Sequence, residues 1–280
     1  MRDEAFTVLS QLVRDRSGLV LARDKEYLLE SRLTPVARKH NYMTVEELAQ
    51  ALRRPAAPDV ERDVVEAMTT NESFFFRDAS AFKVLRETIF PALIAARSAK
   101  RELRIWSAAC SSGQEPYSIA MMLDENRARL AGWRVEILAT DLSTEMIARC
   151  RAGVYSHFEV QRGLPAQLLA KHFAKSGDGW VISPELRKAV DFRPFNLLHE
   201  PAGFGAFDVI LCRNVLIYFD VDDKAKILNR MARMLAKDGA LLLGGAETVL
   251  GVTDKLVHQS GLIGVFMPTP PPAPRLATAS

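Results

Sequence analysis

From Asp78 onward, short β-rich runs alternate with longer helical ones, and no other feature restricts the possible folds as much. Residues 103–106 read as a strand, 115–130 as a helix, 135–140 as a strand and 144–151 as a helix. The pattern continues through a strand at 207–212, a helix at 222–235 and a strand at 240–244. Lys237-Asp238-Gly239 reads as the stop of that helix and the turn after it. Strands joined through helices must run parallel, because the crossover returns the chain to the same end of the sheet. Between about 155 and 192 the alternation lapses into a polar segment holding Ser176-Gly177-Asp178-Gly179, whose chemistry suits a hairpin turn.

Ahead of the sheet, apolar residues recur at helical spacing, as in Phe6, Leu9, Leu12 and Val13, then Val60, Val64, Val65 and Met68. A small all-helical region follows from this. Thr34-Pro35 suits an N-cap and first helical position, so a break or kink is expected there. Thr44 followed by Glu47 has the spacing of a capping box.

With 280 residues, 48% hydrophobic and 25% charged, the chain can build two unequal domains of ordinary globular composition. No apolar run approaches the ~20 residues that cross a bilayer. The acidic start Asp3-Glu4 does not open a signal peptide, so a cytoplasmic protein with no membrane insertion is expected. Cys110, Cys150 and Cys212 are odd in number and lack metal-ligand spacing, which points to buried free thiols and no metal site. A net charge of +3, from 37 basic and 34 acidic residues, is too even to announce nucleic acid as a partner. The tail at 268–280 holds five prolines and almost no bulky apolar residue, and is expected to be disordered.

Four segments carry chemistry. The run from Arg104 through Ser107-Ala-Ala-Cys-Ser-Ser-Gly113 to Glu115 and Ser118 joins a strand to a helix through small residues, which let backbone amides approach a ligand closely. A bare tight turn gives the same pattern. The glycine fingerprint of dinucleotide sites is missing, which counts against a nicotinamide oxidoreductase. Asp141 ends the second strand, where a carboxylate accepts hydrogen bonds from both hydroxyls of a ribose. Alone it reads more readily as the N-cap of the next helix, and only its pairing with the upstream turn favours the ribose. Arg213, Asn214 and Tyr218 follow the strand at 207–212 in a largely apolar stretch, so they face a crevice or need buried partners. Thr69-Thr-Asn71-Glu-Ser73-Phe-Phe-Phe-Arg77 is too aromatic for a plain linker; a hydrophobic staple between two domains and a functional role for Asn71, Ser73 and Arg77 are compatible readings.

These segments, with Ser107–Ser118 and Cys212–Asp220 in the same order, resemble the signatures of the chemotaxis receptor methyltransferases, the CheR family, over about 6–267. The resemblance implies an α/β fold: an N-terminal all-helical domain (1–72), then a Rossmann-like S-adenosylmethionine methyltransferase domain (73–267) with a small inserted antiparallel β subdomain (about 155–192). It implies that Asn71, Ser73, Arg77, Glu115, Asp141, Asn196, Leu197, Arg213 and Asn214 bind S-adenosyl-L-methionine, with Glu115 facing the methionyl ammonium and Asn196-Leu197 the adenine. Glu115 alone would read as a favourable charge in a first helical turn. The implied substrates are glutamate side chains on the cytoplasmic helices of methyl-accepting chemotaxis receptors, methylated by a monomer.

A glutamate is ionised at neutral pH, its reference pKa being about 4.3, so the transfer needs no general base. Arg77 and Tyr218 are the residues expected to hold and orient the carboxylate. Lys25, Arg32 and Lys39 recur every seven residues, which suggests a basic face for glutamate-rich helices; a solvated surface is the alternative. The short turn at 176–179 suggests that no receptor C-terminal pentapeptide is bound. A nucleic-acid amino-methyltransferase would carry an Asp/Asn-Pro-Pro-aromatic motif where this chain has Arg213-Asn214-Val215. A non-catalytic cofactor-binding adaptor stays open.

Overall fold

The computed structural model describes residues 1–54 and 58–270. Four helices, α1 (Asp3–Ser17), α2 (Glu26–Lys39), α3 (Val45–Ala51) and α4 (Pro58–Met68), form the N-terminal layer. Their apolar stripes meet around Leu9, Val13, Leu29, Leu33, Leu48 and Val64, each fully buried. Thr44 caps α3 by accepting from the Glu47 amide, while the Glu47 carboxylate accepts from the Met43 amide, one residue before the position a capping box uses.

Pro35 lies inside α2, which runs on without the expected break. Thr34 is not a cap: its hydroxyl donates to the Glu30 carbonyl within the helix. One member of the basic stripe is committed elsewhere. Arg32 donates to the carbonyls of Met68 and Thr69 and to the Thr70 hydroxyl, holding the start of the linker. Lys39 is paired with Asp63 at 2.6 Å.

After the linker come α5 (Ala79–Val84) and α6 (Phe90–Ala96), then β1 (Glu102–Ala108), α7 (Gln114–Glu125), β2 (Arg134–Asp141) and α8 (Thr144–Ala152). An insertion follows, comprising β3 (Val154–Ser156), α9 (His157–Gln161), α10 (Ala166–His172), β4 (Phe173–Ser176), β5 (Gly179–Ile182) and α11 (Pro184–Lys188). The chain then returns through β6 (Val190–Pro194), β7 (Phe207–Cys212), α12 (Val221–Met234), β8 (Leu235–Leu243), β9 (Leu256–His258) and β10 (Val265–Pro268).

The main sheet has the order β6-β2-β1-β7-β8-β10-β9. Its first five strands are parallel, and β10 and β9 add an antiparallel edge. All six residues of β7 are buried, as a central parallel strand covered on both faces requires. Alternate side chains feed two cores: Ile105, Ile137 and Val209 on one face, Trp106, Leu138 and Ile210 on the other. The inserted strands form a separate antiparallel sheet, β3-β5-β4, whose β4–β5 hairpin turns on Gly177-Asp178 with Gly177 left-handed (φ 56°).

Three boundaries differ from the sequence reading, the first being the end of α7, which stops at Glu125 and not at residue 130. Lys237-Asp238-Gly239 do not stop α12, which ends at Met234; they bulge out of β8, so that Phe207 pairs with Leu235 but Val209 already pairs with Ala240. The bulge has partners, since Asp238 and Asp208 both accept from the Arg97 guanidinium. At the other end, Pro268 belongs to β10 and the Thr269 amide donates to the Lys255 carbonyl, so the proposed tail begins too early. Residues 271–280, the rest of that tail, lie outside the described residues.

Candidate active site

The chain runs from β1 outward to β2 and β6, then crosses back to β7, so the strand order reverses between β1 and β7. Their carboxyl ends lie side by side, Ala108 against Cys212. A crevice outside the sheet at such a point is where open α/β folds bind ligands. Here it is a pocket, and every residue expected to bind the cofactor or hold the substrate carboxylate lines it, from Asn71 in the linker to Tyr218 after β7.

The turn after β1 forms one wall. Ala109 (φ 58°), Ser111 (φ 50°) and Gly113 (φ 91°) are all left-handed, a conformation that exposes amides and that only glycine adopts without strain. The turn is bolted to the end of β2: the Cys110 amide donates to the Thr140 carbonyl, and the Ser111 amide to Asp141 Oδ2 at 2.7 Å. Gly113 cannot be replaced quietly, since a Cβ there would stand 2.9 Å from Cys150 Sγ.

Asp141 is buried, with its other oxygen accepting from the Ser143 amide at 2.9 Å. It is not the N-cap of α8; Ser143 is, its hydroxyl accepting from the Met146 amide. Burial raises the Asp141 pKa above its ordinary 3.8, against the two amides that favour the ionised form. Each of its oxygens keeps a lone pair beyond those amide bonds, the acceptor capacity a ribose diol uses.

Glu115, in the first turn of α7, accepts from the Ser107 hydroxyl at 2.7 Å and from Arg213 Nη1 at 2.8 Å. The Arg213 side chain is 2% exposed, and its charge is matched by Glu115 and by Asp78 at 2.6 Å, with a further bond to the Arg77 carbonyl. An arginine so deeply buried persists only because it is paired and bonded on several sides. Its Nε has no hydrogen-bond partner among the described residues. Glu115 and Arg213, both read as cofactor residues, thus also hold each other in place.

The linker serves both of its readings. Phe75 is fully buried and meets Tyr155 and Phe173 edge-on, at ring centroid distances of 5.0 and 5.6 Å, docking the insertion. Phe76 takes a left-handed conformation and donates its amide to the Ser118 hydroxyl. Around these anchors Asn71, Ser73 and Arg77 line the pocket, with the Asn71 carbonyl accepting from the Ser111 hydroxyl. Arg77 donates to the Glu72 carbonyl and lies over the Phe74 ring.

The helical region reaches the pocket in a way the sequence did not signal. Ser17 and Leu19, just where α1 ends, line it. Gly18 makes the approach possible: it is left-handed (φ 75°), and a Cβ there would fall 2.4 Å from the Phe219 ring. The Val20 amide donates to the Tyr218 carbonyl, and Asn196 Nδ2 to the Arg16 carbonyl at 2.6 Å, so the Asn196 side chain closes the seam. Arg14 pairs with Asp220 and Glu66 accepts from Ser143 and Thr144, across the same seam.

The pocket fits an adenosine-bearing sulfonium amino acid in its donor set. It offers an amide-rich turn of small residues, one buried carboxylate at the β2 end, a second carboxylate beside a buried arginine, and the apolar Leu142, Phe195 and Leu197.

Comparison with known proteins agrees with this arrangement. A family model described as "CheR methyltransferase, SAM binding domain" matches residues 71–263, and one described as "CheR methyltransferase, all-alpha domain" matches residues 4–69. A chemotaxis protein methyltransferase of Vibrio anguillarum is 42% identical over 90% of this chain and 92% of its own length. The chemotaxis protein methyltransferase Cher2 of Pseudomonas putida is 42% identical over 85% of this chain and 87% of its own. Chemotaxis protein methyltransferase 1 of Pseudomonas aeruginosa is 41% identical over 89% of this chain and 92% of its own.

Proposed function

The chain belongs to the CheR methyltransferase family, and from that premise we propose that it transfers a methyl group to glutamate side chains of chemoreceptors, forming γ-glutamyl methyl esters. It is an S-adenosylmethionine-dependent methyltransferase. The observation that favours a carboxylate acceptor is the state of the pocket's own acids. Glu115 is engaged by Ser107 and Arg213, Asp141 by two amides, and Glu72 by Arg162 at 2.7 Å, while no histidine among the described residues lines the pocket. An amine or hydroxyl acceptor needs a base to take its proton. A glutamate arrives already ionised, so a pocket without a free base suits it.

S-adenosylmethionine, when bound, supplies a methyl group on a sulfonium that is open to in-line displacement. In this reading Asp141 holds the ribose, Glu115 the methionyl ammonium, and Asn196 and Leu197 the adenine edge of the pocket, with Asn71, Ser73, Arg213 and Asn214 completing the wall. Arg77 is the cation for the incoming carboxylate, through a single angled contact that leaves one oxygen nucleophilic. Tyr218, which lines the pocket, turns that oxygen toward the methyl group. Catalysis is then mainly positioning and exclusion of water, a contribution that reaches about 7–11 kcal/mol in well-oriented systems.

A receptor pentapeptide has no part in the proposal. Edge strand β4 offers backbone groups, but strand addition also needs pockets for alternate side chains, and a two-residue turn supplies no wall for them. Radiolabelled transfer to receptor-bearing membranes tests the reading: base-labile label marks an ester, whereas base-stable label would assign a different acceptor.

A further inference from the structure

Glu247 belongs to none of the motifs that define the pocket, and it does not line it. It lies in the turn after β8. Its two carboxylate oxygens accept four backbone N–H groups: Oε2 from Gly244 at 2.7 Å and Asn214 at 2.8 Å, Oε1 from Val215 at 2.9 Å and Leu216 at 2.7 Å. Three of those donors are consecutive, and they open the single 3₁₀ turn Leu216–Tyr218. The first amides of a helical turn have no partner inside it, and a carboxylate that accepts from them acts as a cap. This cap comes from a different strand end.

Two further features belong to the same construction. Asn214 is left-handed (φ 59°), which turns its amide and the next two toward one point. Gly244 leaves room for the carboxylate, since a Cβ there would stand 2.7 Å from Asn214 Nδ2 and 2.9 Å from Glu247 Oε2.

We propose that Glu247 is a positioning residue for Tyr218. It fixes the segment between Arg213 and Tyr218 so that the phenol is held at one place in the pocket; this rests on the role given to Tyr218 above. The charge matters as well as the shape, because an amide in place of the carboxylate offers one acceptor oxygen to four donors and turns its NH₂ toward the rest.

A double-mutant cycle on the full chain tests this, with receptor methylation followed well below the thermal transition and rates normalised to the fraction that binds S-adenosylmethionine by calorimetry. Glu247→Gln is expected to lower kcat by about 10–10²-fold, the scale of a small misplacement, with a smaller change in the receptor KM. In the Tyr218→Phe background it should change kcat by no more than about a factor of two, because the group it positions is already gone. Gly244→Ala, which wedges between Glu247 and Asn214, should lower kcat in the same non-additive way and serves if Glu247→Gln does not fold. Equal losses in both backgrounds, or a lowered melting temperature with unchanged kcat, would overturn the proposal and leave Glu247 a stabilising contact. A silent Tyr218→Phe variant would remove the phenol's role, and the positioning claim with it, and is recognised from that single variant.

Discussion

Asp141→Ala separates what the carboxylate does for the fold from what it does for the cofactor. From the sequence, removing it looks harmless to folding, because a strand-end ligand carries little packing. The structure says otherwise: the side chain accepts the Ser111 and Ser143 amides in a buried setting. A buried donor left without an acceptor costs about 1–3 kcal/mol, so two cost about 2–6 kcal/mol. At about 2.1 cal/mol/K per residue, a 280-residue chain loses roughly 1.7 °C per kcal/mol, which gives a drop in Tm of about 3–10 °C. Cofactor affinity should fall by about tenfold to a hundredfold on top of this, the worth of a hydrogen bond to a charged acceptor. Asp141→Asn, which keeps one acceptor oxygen, should recover part of the stability. Differential scanning fluorimetry and titration calorimetry with S-adenosylmethionine read the two effects independently. An unchanged Tm would refute the anchoring of the β1 turn, and an unchanged affinity would refute the ribose assignment.

Acidification supplies a second test of the same residue. Its folded-state pKa is raised by burial, so its protonated form favours the folded state below pH 3.8, and that contribution is lost as pH rises through the folded value. The stability of the wild type relative to Asp141→Asn should therefore decline with rising pH in that window by chemical denaturation, and a difference that grows with pH would contradict the sign. Tyr218→Phe and Arg77→Ala should reduce kcat more than they weaken cofactor binding; equal loss in both would make them cofactor ligands. Gly113→Ala forces a left-handed alanine against Cys150 and should cost about 1–3 kcal/mol while weakening S-adenosylmethionine binding, so wild-type affinity would contradict the tight turn. A tether-type pentapeptide should give no heat on titration, and micromolar binding would mean that the β4 edge suffices.

Local rules made much of this fold readable. Strands β1, β2 and β7 follow from apolar runs bounded by polar or small residues, and the turn from Ser107 to Gly113 is marked by residue size alone. The misreadings each trace to a longer-range partner. Gly239 after Lys237-Asp238 is ordinary stop chemistry for a helix, but Arg97, far away in sequence, binds Asp208 and Asp238 and turns that stretch into a bulge. Thr34-Pro35 imitates a helix start, and packing of Leu29, Leu33 and Val36 in the helical core overrides it. Arg32 looked like surface charge because nothing local reveals that three oxygens of residues 68–70 lie beside it. At the site, motif residues were legible as a set, but that Glu115 and Arg213 pair with each other was not. Ser17 and Leu19 reach the pocket through Gly18, a lone glycine after a helix whose ordinary meaning is a C-cap. Glu247 gave no signal, since a carboxylate that binds only backbone amides leaves no side-chain pattern to match.

The central claim is that this pocket esterifies a carboxylate that arrives already ionised. It is tested most directly by incubating the protein with methyl-labelled S-adenosylmethionine and chemoreceptor-bearing membranes, then treating the labelled receptor with mild base. Release of the label as methanol, lost when the receptor glutamates are replaced by alanine, is the predicted result. Label that survives base, or cofactor binding with no transfer to the receptor, would contradict it.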